Sequence, residues 1–187
     1  ACHNESYIDK YDMASDIKPG GTCLLNCQWD AKELEKKLPG QAKRYIAENN
    51  IKFYTIDGIK IGKEIGLGNR INTVLQAAFF KLSGIIPIKD AVKYMKEAAT
   101  RSYSKKGEAI VKMNHDAIDA GVKGVVEVKV PASWKTAKDS KMGMGKVKAA
   151  NKTLTNYVNN IQIPVNAQQG DKLPVSTFKD MADGTFP

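Results

Sequence analysis

Histidine, cysteine and long apolar runs are scarce in this chain of 187 residues. No apolar run approaches the roughly 18 residues that are needed to span a bilayer, so no membrane association is predicted. Neither His3 nor His115 belongs to a helical histidine pair of the kind that binds a metal, and no metal site is predicted. The sequence also lacks a Gly-x-Ser-x-Gly elbow, a phosphate-loop lysine motif and a convincing carboxylate pair, so no catalytic residue is assigned.

The chain has three cysteines, a small and odd number that does not suit a disulfide framework, and reduced thiols are predicted. The spacing of Cys23 and Cys27 does not suit a cluster or a zinc pair, which favours core thiols. The first residues show neither a basic start nor an apolar stretch, so no secretory signal is predicted and a cytoplasmic location is expected. A start at Ala1, without methionine, is typical of a processed or cut piece.

The net charge of +9 lies mostly in the middle of the chain. Residues 1–60 are balanced, whereas Pro131–Lys152 carries six lysines and one aspartate. A basic segment can attract phosphates, nucleic acid or an acidic neighbour, but a lysine-rich stretch with glycines is more often a solvated linker, which is the preferred interpretation. Nucleic-acid binding is not predicted because basic and aromatic residues do not interleave.

Hydrophobic periodicity predicts an α/β domain over residues 1–130. The apolar runs 21–26 and 51–57 suit strands buried on both faces, and the helical stretches between them begin at Asp30 and Pro39. Strand, helix and strand in this order imply parallel pairing under a cover of helices, a Rossmann-like partial domain.

The following part of the domain is predicted to be helical. An apolar stripe runs from Ile71 to Leu82, a second amphipathic helix follows Pro87 and runs to about Tyr103, and a third extends from about Lys106 to Ala120, ended by Gly121. A strand over 125–130 is stopped by Pro131. Residues 131–187 hold four of the seven prolines, and an irregular connecting segment is predicted there.

The sequence Gly66–Thr73 contains the constellation that best suits a ligand. Two glycines, Arg70 and the amides of Asn69 and Asn72 stand at the start of the striped helix, where unpaired N–H groups attract phosphate. The alternative is a glycine cap ending one helix and an asparagine cap starting the next, and spacing alone favours this alternative.

Several stretches resemble one region of pyruvate:ferredoxin (flavodoxin) oxidoreductases, in order and over nearly the whole chain. They include Gly20–Asn26, Ile51–Asp57, Glu64–Asn72, Gln76–Leu82, Lys105–Gly107, Val126–Trp134 and Asn166–Ser176. The resemblance places residues 1–130 in the later part of the third, gamma-like domain of that family and 131–187 in the segment that leads towards a ferredoxin-like domain.

The resemblance implies a parent enzyme that converts pyruvate and coenzyme A to acetyl-CoA and CO2 and reduces ferredoxin or flavodoxin. It implies thiamine pyrophosphate, Mg²⁺ and [4Fe–4S] clusters on other domains, sister domains as partners and a homodimeric parent. The isolated fragment is expected to be inactive. Because the third domain of the family is associated with coenzyme A, the resemblance makes Arg70 and Asn72 the preferred binding residues, followed by Gly68 and Asn69. The competing hypothesis is a scaffold domain that only docks against its neighbours.

Overall fold

A three-stranded mixed sheet lies at the centre of the computed structural model, which describes residues 1–143, 145–148 and 150–179. Strands β1 (Thr22–Asn26) and β2 (Lys52–Ile56) pair in parallel, with Leu24 opposite Tyr54. Both predicted strands and their parallel pairing are confirmed. The apolar runs form strands because residues of β1 and β2 are buried from both faces of the sheet.

Eight α-helices are found among the described residues, and none of these is long and apolar enough to cross a membrane. Their bounds are α1 (Ala31–Lys37), α2 (Gly40–Glu48), α3 (Gly58–Ile65), α4 (Asn72–Ser83), α5 (Ile88–Tyr103), α6 (Glu108–Lys123), α7 (Lys152–Tyr157) and α8 (Ile163–Asn166). The start of α1 follows the prediction, because Asp30 accepts from the backbone of Glu33 and the Glu33 side chain accepts from the backbone of Asp30. A π-helical turn, Val158–Gln162, joins α7 to α8, so part of the segment predicted to be irregular is helical. The side chain of Asn151 accepts from the backbone N–H of Leu154 and starts this helical stretch.

The sheet separates two apolar clusters. On one side Leu25 and Phe53 pack with Leu34, Ile46 and Trp134. On the other side Leu24 and Ile56 pack with residues of α4 and α6, among them Val74, Leu75, Ala78 and Ala117. Alternate residues of each strand therefore face different helices, which is the arrangement expected of a strand covered on both faces.

Two predicted boundaries are wrong. Helix α6 does not end at Gly121 but continues to Lys123. The glycine is there for packing, since Gly121 is buried against the backbone of Val74 in α4, where a side chain would not fit. The predicted strand over 125–130 is reduced to β3 (Val126–Glu127), which pairs antiparallel to β2. The chain leaves the sheet after Val128 because the following turn carries Trp134 into the core.

The residues after Val130 begin by packing on the α/β layer. Trp134 is 2% exposed, and its indole N–H donates to the carboxylate of Glu35 in α1. Arg44 of α2 donates to the carbonyl oxygen of Ala137 at 2.5 Å. These contacts hold residues 132–140 against α1 and α2. The domain boundary at 130/131 stays a prediction.

Candidate functional site

A cleft of about 800 Å³ opens between the start of α4 and the turn that joins α5 to α6. Its floor is apolar and is formed by Leu24, Leu67, Leu75, Phe79, Ile110 and Met113. The loop before α4 and the turn before α6 form two walls that supply Arg70 and Lys106, and His3, Gln76 and Asn114 add further polar groups. Volume and lining are those of a small-molecule site, in which an apolar body is oriented by a few polar groups.

The loop before α4 forms the first wall. Gly66 ends α3 with a φ of +89°, as the glycine-cap interpretation requires. The loop is tied down by backbone hydrogen bonds from Leu67 to Gly62 at 2.8 Å and from Arg70 to Leu67 at 3.2 Å. The asparagine-cap part of that interpretation is wrong, since the residue preceding α4 is Ile71 and no side chain caps the helix.

The start of α4 therefore presents backbone N–H groups without a capping side chain. Asn72 is the first residue of the helix, and Asn69, Arg70 and Asn72 all line the cleft. Gly68 lies in the same loop at a φ of +60° but is not among the lining residues. Helix N–H groups and the positive end of the helix dipole favour an anion, and the guanidinium of Arg70 can donate to two of its oxygens.

The sequence motifs did not predict the second wall, which is formed by the turn before α6. The cleft is lined here by Tyr103, the last residue of α5, and by Lys106, which ends the turn Ser104–Lys106. The Lys106 ammonium lies 5.5 Å from the centre of the Tyr103 ring. The only signal in the sequence was the pair of lysines before Gly107 at the predicted helix start. Asn114 of α6 also lines the cleft, and its amide donates to Ile110 at 2.9 Å.

A second cleft, of about 680 Å³, lies at the carboxyl ends of β1 and β2. It is bordered by the starts of α1 and α3, but each helix start is already capped, by Asp30 and by Asp57. These carboxylates occupy the N–H groups and carry the same charge as an anion. The first cleft is therefore the better anion site of the two.

The thiols are core residues, as predicted. Cys2 and Cys27 are buried, and all three cysteines are free. Burial raises the pKa of Cys23 and of Cys27 from 9.0 to about 11, which keeps both protonated near neutral pH. No group of three histidine, cysteine or acidic residues suited to a metal ion occurs within residues 1–143, 145–148 and 150–179.

A helix-covered sheet with mostly parallel pairing defines an α/β domain of the Rossmann-like class. Residues 1–124 match the family described as pyruvate ferredoxin/flavodoxin oxidoreductase, which is most of the chain, and the chain belongs to that family. Residues 145–187 match a second family, EKR, which is described as a domain of unknown function.

Relatives that match over the full chain are much longer proteins. The chain is 46% identical over 187 residues to the pyruvate-flavodoxin oxidoreductase of Enterobacter agglomerans and 45% identical over 190 residues to the pyruvate:ferredoxin oxidoreductase of Moorella thermoacetica. It spans 15% of the length of each. A mitochondrial pyruvate dehydrogenase [NADP(+)] of Euglena gracilis is 38% identical over 189 residues, and the chain spans 10% of it.

Proposed function

We propose that this domain holds coenzyme A for a parent enzyme that converts pyruvate and coenzyme A to acetyl-CoA and CO2 and reduces ferredoxin or flavodoxin. Family membership supports the parent reaction, and the relatives' names supply pyruvate and both acceptors. The observation that supports coenzyme A as the ligand is the start of α4, which has no capping side chain and borders an apolar cleft beside Arg70. Coenzyme A combines phosphates with a long arm in which methyl and methylene groups alternate with amides. The donors at the start of α4 suit the phosphates, and the apolar floor suits the methyl and methylene groups.

The remaining chemistry belongs to other parts of the parent. A [4Fe–4S] cluster takes four cysteine ligands, and this chain has only three cysteines, two of them buried in a core. The clusters are therefore assigned to sister domains. The family resemblance implies that thiamine pyrophosphate and Mg²⁺ also lie on sister domains and that the parent is a cytoplasmic homodimer. The fragment alone is expected to show no pyruvate-dependent reduction of a viologen dye.

A second role, packing against sister domains, is supported by the edge of β1 that faces away from β2, where pairing among the described residues is limited to a single bridge. Hydrogen bonds to β2 use the N–H groups of Cys23, Leu25 and Cys27 in alternation, which turns the N–H of Leu24 to the opposite edge. Within the part of the chain that the structure describes, Cys2 pairs at this edge in a parallel bridge to Leu25: its N–H donates to Leu24 at 2.8 Å, and its carbonyl accepts from Asn26 at 2.9 Å. Phe79, which lines the same cleft as Leu24 of β1, is 46% exposed. A scaffold domain without a ligand of its own is the alternative that these apolar surfaces favour.

Calorimetric titration with coenzyme A separates the two roles. The proposal expects binding in the micromolar to millimolar range and a roughly tenfold or greater loss in Arg70→Ala, since a charge-assisted hydrogen bond is removed. Arg101→Ala is the matched control, because Arg101 is exposed on α5 and does not line the cleft. Absence of heat at millimolar coenzyme A from folded protein would favour the scaffold.

A further inference from the structure

Two cationic side chains approach the cleft from opposite walls. Arg70 lies in the loop before α4, and Lys106 ends the turn between α5 and α6, thirty-six positions later in the chain. Neither makes an ion pair with any residue that the structure describes. Two uncompensated charges on separate walls suit a ligand with two separate anionic groups better than one with a single anionic group.

The two walls differ in the kind of anion that they suit. Arg70 stands beside several backbone N–H groups of α4, a set of many directed donors that can follow the two linked phosphates of a diphosphate. Lys106 brings one compact ammonium, and the start of α6 beside it carries the carboxylate of Glu108 in its first turn, which repels an anion, whereas the first turn of α4 has no acidic residue. The second wall therefore suits a single phosphate monoester. Coenzyme A carries a diphosphate and, apart from it on the ribose, a 3′-phosphate.

The position of Lys106 is set by the backbone around it. Gly107 adopts a φ of +101°, in the region that favours glycine, and this residue ends the turn and precedes α6. The ammonium of Lys106 rests over the Tyr103 ring at 5.5 Å, which holds the charge at the rim of the cleft. Lys105, one position earlier, is also exposed but does not line the cleft.

We infer that Lys106 is a specificity-determining residue that binds the 3′-phosphate of coenzyme A, while Arg70 and the start of α4 bind the diphosphate. This inference rests on the proposed function and extends it. Lys106 lets the cleft distinguish coenzyme A from 3′-dephospho-coenzyme A, which has the same diphosphate and the same arm.

Titration of both ligands into the wild-type chain, Lys106→Met, Lys106→Arg and Lys105→Met tests the assignment. The wild type is expected to bind coenzyme A about tenfold or more tightly than the dephospho form, because a dianionic phosphate gains a charge-assisted hydrogen bond. Lys106→Met should abolish this preference by weakening coenzyme A alone, and Lys106→Arg should keep it. Lys105→Met should match the wild type.

The outcomes that overturn the inference differ from those that overturn the proposed function. Equal binding of both ligands by the wild type, or equal weakening of both in Lys106→Met, removes the 3′-phosphate role and leaves coenzyme A binding intact. Failure of the folded wild type to bind either ligand removes both proposals. Lys106 is exposed, and far-UV circular dichroism confirms that each variant is folded.

Discussion

At the scale of single residues, Trp134 joins the segment after Val130 to the sheet. Its ring packs 6.1 Å from the Phe53 ring, and its hydrogen bond, with that of Lys43, holds the pKa of Glu35 below the ordinary carboxyl value. We expect Trp134→Ala to lower the free energy of unfolding by about 3–5 kcal/mol, because it leaves a large cavity in a packed core. Urea denaturation followed by circular dichroism measures the change.

The chain's other tryptophan provides the control. Trp29 is half-buried and is covered on one face by the Lys37 ammonium at 5.0 Å. Trp29→Ala is expected to lower the free energy of unfolding clearly less than Trp134→Ala does. Trp134→Phe should give an intermediate loss, because phenylalanine keeps most of the volume but lacks the indole donor. Equal costs for both alanine variants would contradict the anchoring role of Trp134.

The buried thiols make stability depend on alkaline pH. Burial raises the pKa of Cys23 and of Cys27 to about 11, so the folded state holds these protons more tightly than the unfolded state. Their stabilising contribution is complete below about pH 9 and is lost as the pH rises from 9 towards 11. We expect the free energy of unfolding, measured in urea with reductant, to fall less steeply over this range in Cys23→Ala/Cys27→Ala. If the free energy of unfolding fell equally steeply with pH in the wild type and in the double variant, the two thiols would not contribute to this pH dependence.

At the scale of elements, the contact between α4 and α6 depends on Gly121. A Cβ atom there would lie closer than 3.0 Å to the carbonyl oxygen of Val74 and 3.0 Å from the Ala77 Cβ. Gly121→Ala gains up to about 1 kcal/mol of helix propensity, yet we expect a net loss of about 1–3 kcal/mol because the helices must separate. Thermal unfolding checks this result.

Gly145→Ala serves as the comparison, since a Cβ at Gly145 meets no atom within 4 Å. The free energy of unfolding of that variant should lie within about 0.5 kcal/mol of the wild-type value. A stabilised Gly121→Ala protein would mean that α4 and α6 approach each other less closely than the structure shows.

At the scale of the whole molecule, the segment after residue 140 should be the first site of proteolysis. Residues 137–140 are held to α2, where Arg44 donates to Ala137 and the backbone N–H of Gly40 donates to the Ser140 hydroxyl at 3.0 Å. Lys141, Lys146 and Lys148 follow in exposed chain outside any helix or strand. Limited trypsin digestion with mass spectrometry should show early cuts after these three lysines and late cuts after Lys138 and Lys81.

The ion pair to α2 allows a sharper form of this experiment. Arg44 also contacts the carboxylate of Asp139, so Arg44→Ala should release the 137–140 stretch and make the cut after Lys138 early. Arg101→Ala removes an arginine that has no contact with this stretch and should leave the digestion pattern near Lys138 unchanged. Early cutting after Lys138 in the wild type would contradict the packing of residues 137–140.

Local patterns were sufficient to predict much of this fold. The apolar runs of β1 and β2, the capping box at Asp30 and the stripe that begins at Ile71 all act between near neighbours, and each element lies within a few residues of its predicted range. The loop around Arg70 could also be singled out, because glycines and amides before a helix start are visible in the sequence. Its role in binding coenzyme A stays a prediction.

The sequence by itself determined where β1, β2, α1, α4 and α5 form, since periodicity, caps and turn residues depend on neighbours in the chain. Only the tertiary structure decided that Gly121 lies inside α6, because the close contact with Val74 comes from a helix more than forty residues earlier. It also decided that Lys106 faces the same cleft as Arg70 and that Trp134 enters the core beside Phe53. These contacts join residues distant in the chain, and no local pattern specifies which distant side chains meet.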